Sequence, residues 1–173
     1  MTQQLTIRDL QEDEHDELGE LMVEVYSKLE GFPTPAEQPA YYRMLADIGR
    51  FAGKKDARVL VAITADQELA GGVVYFGDMA EYGSGGAATQ VKNASGIRLL
   101  GVGSKFRNLG AGKALTQACI QLARGRGHSQ VVLHTTHAMR IAWGLYERMG
   151  FQRSEDLDFS QEGLPVFGFR LRL

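Results

Sequence analysis

Length, composition and charge place this chain among ordinary globular proteins. It has 173 residues, of which 44% are hydrophobic and 23% charged, and a net charge of −2. A chain of this size buries roughly 70% of the surface that it exposes when unfolded, so it forms a core without disulfides. This argues against disordered, fibrous and membrane-spanning classes. No boundary splits the sequence, which predicts a single domain over residues 1–173.

The N-terminus and the single cysteine indicate the compartment. Residues 1–6 lack the basic start and apolar core of a signal peptide, and no apolar run approaches the ~18 residues of a membrane span. We therefore expect a cytoplasmic protein that does not contact a membrane. Cys119 falls on the apolar side of a predicted helix, where a buried structural thiol is expected.

The first half of the chain predicts a strand, two helices and an antiparallel hairpin. Alternation, helical spacing of apolar residues and two β-rich runs place them at residues 5–8, 12–30, 40–52, 58–64 and 69–76. Gly, Ser and Ala dominate the next segment, residues 77–96, which is expected neither to fill a core nor to hold regular structure. It is either a mobile loop over a site or an elaborate turn.

The second half predicts a strand, a glycine-rich turn, a helix, a strand, a second helix and two final strands. They cover residues 97–102, 107–112, 113–124, 131–133, 139–149, 151–153 and 166–171. The central strand–helix–strand unit should form a right-handed parallel crossover. Gly101 and Gly103 suggest a bulge near the end of the first strand.

The charge of this half favours an anion at the glycine-rich turn. Between Tyr82 and Tyr146 there is no Asp or Glu, whereas the basic residues are Lys92, Arg98, Lys105, Arg107, Lys113, Arg124, Arg126 and Arg140. A helix that begins after a turn presents unpaired N–H groups and the positive end of its dipole. The turn is therefore predicted to bind a multiply charged ligand.

Two common phosphate motifs do not fit this turn. A Walker A loop needs glycine where Arg107 stands and Ser or Thr where Ala114 stands. A dinucleotide fingerprint would need a small residue at Leu115 and an acid about 20 residues later, in a segment that has none.

Two segments carry a resemblance to a known family. One is Arg-x-x-Gly-x-Gly at residues 107–112, five residues after Val102, and the other is Leu-Tyr-Glu-Arg-Met-Gly-Phe at residues 145–151. Together they resemble the acetyl-CoA motif and the last helix of the GNAT superfamily of N-acetyltransferases. The resemblance implies a mixed α/β fold with a mostly antiparallel twisted sheet, one parallel strand–helix–strand crossover and flanking helices, and acetyl-CoA as cosubstrate.

The resemblance also implies which residues hold the cosubstrate. The diphosphate of CoA would lie on the backbone amides of Arg107, Asn108, Leu109, Gly110, Ala111, Gly112 and Lys113. The pantetheine arm would pair with the preceding strand through Leu100 and Val102, between two neighbouring strands that separate to admit it. Glycines at the turn let the backbone approach the phosphates closely.

Acyl transfer to an amine needs an acid for the thiolate and a base for the ammonium. The resemblance implies Tyr146 as the acid, with direct transfer to a primary amine of a small molecule or peptide and no metal. Some family members place a glutamate on the strand at residues 97–102, but that strand has no acid here. His134 is the candidate catalytic base, and four others stay open: His137, Asp78, Glu81 and Glu30.

Two other function classes compete with an enzyme. A non-catalytic CoA-binding sensor or regulatory module would keep the turn without turnover. A nucleic-acid binder would use the basic segment, but base-stacking aromatic residues are not interleaved with those charges, so no nucleic acid is expected as a partner. The sequence leaves open the identity of the amine and whether the chain forms a homodimer.

Overall fold

The structure, a computed structural model, describes residues 4–173 and is built on one mixed sheet. The helices and strands follow one another as β1 (Leu5–Asp9), α1 (His15–Ser27), α2 (Pro39–Ala46), β2 (Ala57–Thr64), β3 (Leu69–Phe76), β4 (Ala94–Val102), α3 (Ala111–Gly125), β5 (Gln130–Thr135), α4 (Arg140–Arg148), β6 (Gln152–Arg153), β7 (Phe159–Gln161) and β8 (Leu164–Arg172).

The strand order confirms the predicted fold class. The sheet runs β1-β2-β3-β4-β5-β8-β6, and β7 pairs with β8. Only β4 and β5 are parallel within the part of the chain described, and α3 connects them. In that same part, no helix is long and apolar enough to cross a membrane.

Helices cover both faces of the sheet because side chains alternate along each strand. On β3, Val74 and Phe76 belong to one buried cluster, which includes residues of α1 and α2, while Val73 and Tyr75 belong to the other, with α3 and α4. Cys119 lies fully buried in the second cluster, where burial raises the pKa of its thiol to about 12. This is the structural thiol that the sequence predicts.

Two predicted elements need correction, and one strand was not predicted. The second helix ends at Ala46 rather than at residue 52, and a separate 3₁₀ turn, Ile48–Gly53, follows Asp47. The segment 77–96 is more ordered than expected, because the ring of Tyr82 is fully buried in it and β4 already begins at Ala94. A short strand, β7, forms a hairpin with β8 that the sequence analysis did not include.

Candidate active site

β4 contains a bulge where it pairs with β3. Gly72 and Val74 of β3 pair with Gly101 and Arg98 of β4, so Val73 faces two residues instead of one. One of these two, Leu99, has a φ of +60°, which is rare for a residue with a side chain. The predicted bulge therefore exists, but at Leu99 rather than at the glycines; the added residue bends the strand.

The parallel strands β4 and β5 separate beside this bulge, one residue before Leu99. Their pairing runs from Ala94 opposite Gln130 to Ile97 opposite Leu133 and then stops, although β4 continues to Val102 and β5 to Thr135. The separation leaves strand edges without partners on their facing sides. An extended ligand can use such an edge for main-chain hydrogen bonds.

A cavity of about 750 Å³ lies where the strands part. Its walls come from α1, α2, the Tyr82 segment, β4, β5, α4 and the β7–β8 hairpin. Aromatic and aliphatic side chains line most of it, notably Tyr26, Phe32, Tyr41, Met44, Phe159 and Leu164. An apolar cavity with a few polar groups is typical of a small-molecule site.

The glycine-rich turn presents free backbone amides. Gly110, the N-cap of α3, has a φ of +79°, and Asn108 has a φ of +68°. Within residues 4–173, no amide from Arg107 to Lys113 donates a hydrogen bond to the protein, and the first helical bond runs from Ala114 to the Gly110 carbonyl. Seven free amides at a helix N-terminus fit a diphosphate.

The turn adjoins the open edge of β4. A side chain added at Gly112 would come within 3.4 Å of Leu145 Cδ2, 3.8 Å of Val102 Cγ2 and 4.0 Å of Leu100 Cδ2. Leu100 also lines the cavity, and its carbonyl accepts a 2.8 Å hydrogen bond from the Tyr26 hydroxyl. Gly112, Val102 and Leu100 therefore lie next to one another, between the turn and the cavity.

Tyr146 lies on α4 and contributes to the wall of the cavity. Its side chain is 4% exposed and packs edge-on against Phe151, with ring centroids 5.7 Å apart. Burial raises the pKa of the phenol well above its usual value, so the group stays protonated. Its hydroxyl donates to no partner among the described residues, which leaves it free for a ligand.

His134 is held by two hydrogen bonds inside the protein. Nε2 donates to the Leu157 carbonyl at 2.8 Å, and Nδ1 lies 2.9 Å from the hydroxyl of Tyr82. Burial lowers the pKa of His134, so the ring is neutral and Nδ1 accepts the Tyr82 proton. The imidazole lines the cavity, but its accepting nitrogen is engaged by Tyr82.

The other candidate bases lie outside the cavity lining. Asp78 caps the Ala80 amide and pairs with Lys55 at 3.6 Å. Glu81 pairs with Lys54 at 3.7 Å, and His137 stacks on Trp143 with ring centroids 5.2 Å apart. Glu30 is exposed on the segment after α1.

Two polar residues of the cavity were not singled out from the sequence. Arg98 is the first β4 residue past the last parallel pair, and Thr136 follows β5. The Thr136 hydroxyl is buried without a hydrogen-bond partner in the part of the chain described. Arg98 could have been noticed as the one charged residue on an otherwise apolar strand.

A family model identifies the class of proteins that share this fold. The model of the acetyltransferase (GNAT) family matches residues 20–151, so the chain belongs to that family, whose cosubstrate is acetyl-CoA. No group of three or more His, Cys, Asp or Glu within residues 4–173 is arranged to hold a metal ion.

Curated relatives match a limited segment. The chain is 47% identical over 55 residues to probable N-acetyltransferase family 8 member 5 of Mus musculus and 40% identical over 55 residues to N-acetyltransferase 8B of Homo sapiens. Each match covers 32% of this chain and 24% of the relative. The match thus spans about a quarter of the length of these relatives.

Solved structures match nearly the whole chain. A GNAT acetyltransferase from Staphylococcus aureus Mu50 has a TM-score of 0.74 at 19% identity and covers 98% of this chain and 99% of its own. The PaiA N-acetyltransferase from Thermoplasma acidophilum, solved in complex with coenzyme A, has a TM-score of 0.72 at 15% identity and covers 95% and 98%. At these identities the similarity establishes the fold.

Proposed function

We propose that residues 1–173 form one N-acetyltransferase domain that transfers the acetyl group of acetyl-CoA directly to a primary amine of a small molecule or peptide. The observation that carries this proposal is the separation of β4 and β5 beside the turn with seven free amides. A diphosphate on the turn and an extended arm along β4 lead into the cavity, where Tyr146 lies.

In this proposal, one group of residues binds the cosubstrate and another supplies the acid. Amides from Arg107 to Lys113 hold the diphosphate, and the open edge of β4 at Leu100 and Val102 aligns the pantetheine. The amine nitrogen bonds to the acetyl carbon as the carbon–sulfur bond breaks. Tyr146 donates a hydrogen bond to the sulfur as negative charge develops there and supplies its proton.

We assign the base to His134, acting through Tyr82. The Tyr82 hydroxyl already donates to Nδ1 of His134 at 2.9 Å. It passes that proton to Nδ1 and takes one from the incoming ammonium, so the imidazole gains a proton without leaving the Leu157 carbonyl. Burial and the charge of Arg98 lower the pKa of His134, whereas the hydrogen bond to Leu157 and the charge of Asp158 raise it, and the lowering is larger.

Release of free thiol from acetyl-CoA across a panel of primary amines tests the proposal. We expect thiol release that depends on the amine and an N-acetylated product by mass spectrometry. Tight CoA binding with no thiol release from any amine would contradict it.

A non-catalytic CoA-binding module is the second candidate. It is favoured by one observation: β4 carries Arg98, and no carboxylate, where the strands part. The same experiment separates the two functions, because a sensor binds CoA by calorimetry and shows no turnover.

A further inference from the structure

Arg98 has no carboxylate partner among the described residues. It is the only Lys or Arg among the described residues that line the cavity. Its Nη1 donates to the Tyr82 carbonyl at 2.9 Å, its Nη2 lies 3.9 Å from Met44 Sδ, and it pairs with no carboxylate within residues 4–173. A guanidinium has five N–H donors, so most of its hydrogen-bonding capacity is unused.

The position of Arg98 is fixed before any ligand arrives. The bond to the Tyr82 carbonyl and the approach of its guanidinium carbon to within 5.8 Å of the Tyr82 ring centroid hold the group half-buried at the cavity wall. A partly desolvated charge without a partner is costly. A planar guanidinium held in this way can bind a carboxylate through two parallel hydrogen bonds.

The residues around Arg98 limit which other chemical groups the ligand can have. Arg98 directly follows Ile97, the last β4 residue paired with β5, so it lies at the point where the thioester would reach. The lining on its α1 and α2 side is mostly apolar, with Tyr26, Phe32, Tyr41 and Met44, and its polar residues are Glu37 and Gln38, directly before α2. A ligand that fills this space combines a carboxylate close to its reacting nitrogen with an apolar group.

Thr136 supplies an independent sign of a polar ligand. Its side chain is 4% exposed, lines the same cavity and has a hydroxyl without a partner in the described residues. A buried polar group of this kind costs stability unless a ligand or water satisfies it.

Resting on the proposed function, we infer that the acceptor is an α-amino acid with an apolar side chain and that its carboxylate binds Arg98. The amine nitrogen forms a bond to the acetyl carbon, the carbon–sulfur bond breaks, and the sulfur leaves as a thiol. The ammonium loses two protons as it becomes an amide N–H: one leaves to solvent through Tyr82 and His134, and the other replaces, through solvent, the proton that Tyr146 gives to the sulfur.

Matched acceptors test this inference on the unaltered protein. Phenylalanine, leucine and methionine are each compared with their methyl esters and with the amines that lack the carboxyl group, by thiol release with acetyl-CoA. Loss of a charge-assisted bidentate contact predicts a kcat/KM lower by about 10- to 150-fold for the ester and the plain amine. Equal rates for all three forms would overturn the inference and leave the acetyltransferase proposal intact.

Two variants assign the effect to Arg98. In Arg98→Met the preference for the carboxylate should disappear through a higher KM for the amino acid, whereas Arg98→Lys should keep part of it. If no amine is acetylated, the proposed function fails, and calorimetry of the same amino acids with the CoA-bound protein still decides on the carboxylate site. Binding of the amino acid but not of its ester supports the site, and equal or absent binding overturns it.

Discussion

The hydroxyl of Tyr82 lies 2.9 Å from Nδ1 of His134, at the level where β4 and β5 part. Burial lowers the pKa of this imidazole, whereas an unfolded histidine titrates near 6.5. Below about pH 6.5 the unfolded chain therefore binds a proton that the folded protein does not. The free energy of unfolding is thus at its full value above that pH and falls as the pH decreases toward the folded pKa.

Replacement of His134 by Gln should reduce this pH dependence. Urea unfolding at several pH values between 7.5 and 5 measures it, and we expect a smaller loss of stability in His134→Gln than in the unaltered protein. Burial also lowers the pKa of His128, so His128→Gln is measured in parallel and should remove a separate part of the slope. An unchanged slope in His134→Gln would show that His134 takes up its proton equally in both states.

Tyr146→Phe tests the proposed acid. The substitution removes one hydroxyl from the cavity wall and keeps the ring against Phe151. General acid catalysis typically contributes a factor of about 100 or more, so kcat should fall by at least that factor while the Kd for CoA stays unchanged. Tyr75→Phe is the matched control, since Tyr75 packs in the same buried cluster, but its hydroxyl bonds to Ser95 and it does not line the cavity. Similar losses of kcat in both variants would argue against a special role for Tyr146.

The glycine-rich turn could be predicted from the sequence because its signal is local. Glycines at 110 and 112, a preceding β-rich run and a following amphipathic stretch lie within about two dozen residues, and a turn depends on its own φ values. Gly110 indeed has a positive φ at the start of α3. The start of β4 could not be predicted in the same way. Ala94, Ser95 and Gly96 are weak strand formers that are strands because Gln130, Val131 and Val132 pair with them.

The details of the cavity also come from distant contacts. Leu99 carries no sequence signal for a positive φ, and its bulge arises from the register between β3 and β4. Arg98 gains its role from the Tyr82 carbonyl, sixteen residues away. The β7–β8 hairpin could have been predicted from the sequence, because Glu162 and Gly163 form a two-residue turn with positive φ at both positions.

Gly110→Ala tests whether the turn geometry holds the diphosphate. A Cβ at Gly110 meets open space but forces a side chain into the left-handed region at a φ of +79°. The left-handed conformation costs the alanine about 1 to 2 kcal/mol, unless the turn relaxes and its amides shift. In either case the Kd for CoA should increase. Gly127→Ala is the matched control, because it has a φ of +73° and open space beyond the other end of α3. Calorimetric titration with CoA should show weaker binding only in Gly110→Ala, and equal binding in the two variants would contradict the prediction.

Substitutions of Leu99 test whether its left-handed conformation, and with it the bulge in β4, is the reason that β4 and β5 part. Truncation to Ala or Gly removes the same packing, since the side chain is 7% exposed, but the two residues differ in backbone preference. In an ordinary strand Gly is less stable than Ala by about 0.5 to 1 kcal/mol. At a φ of +60° the order should reverse, and Leu99→Gly should be more stable than Leu99→Ala by about 1 kcal/mol. Ile97→Gly and Ile97→Ala, at a buried β4 position with ordinary backbone, should keep the usual order in denaturant unfolding. The same order at both positions would mean that Leu99 does not adopt the left-handed conformation and that β4 and β5 part for another reason.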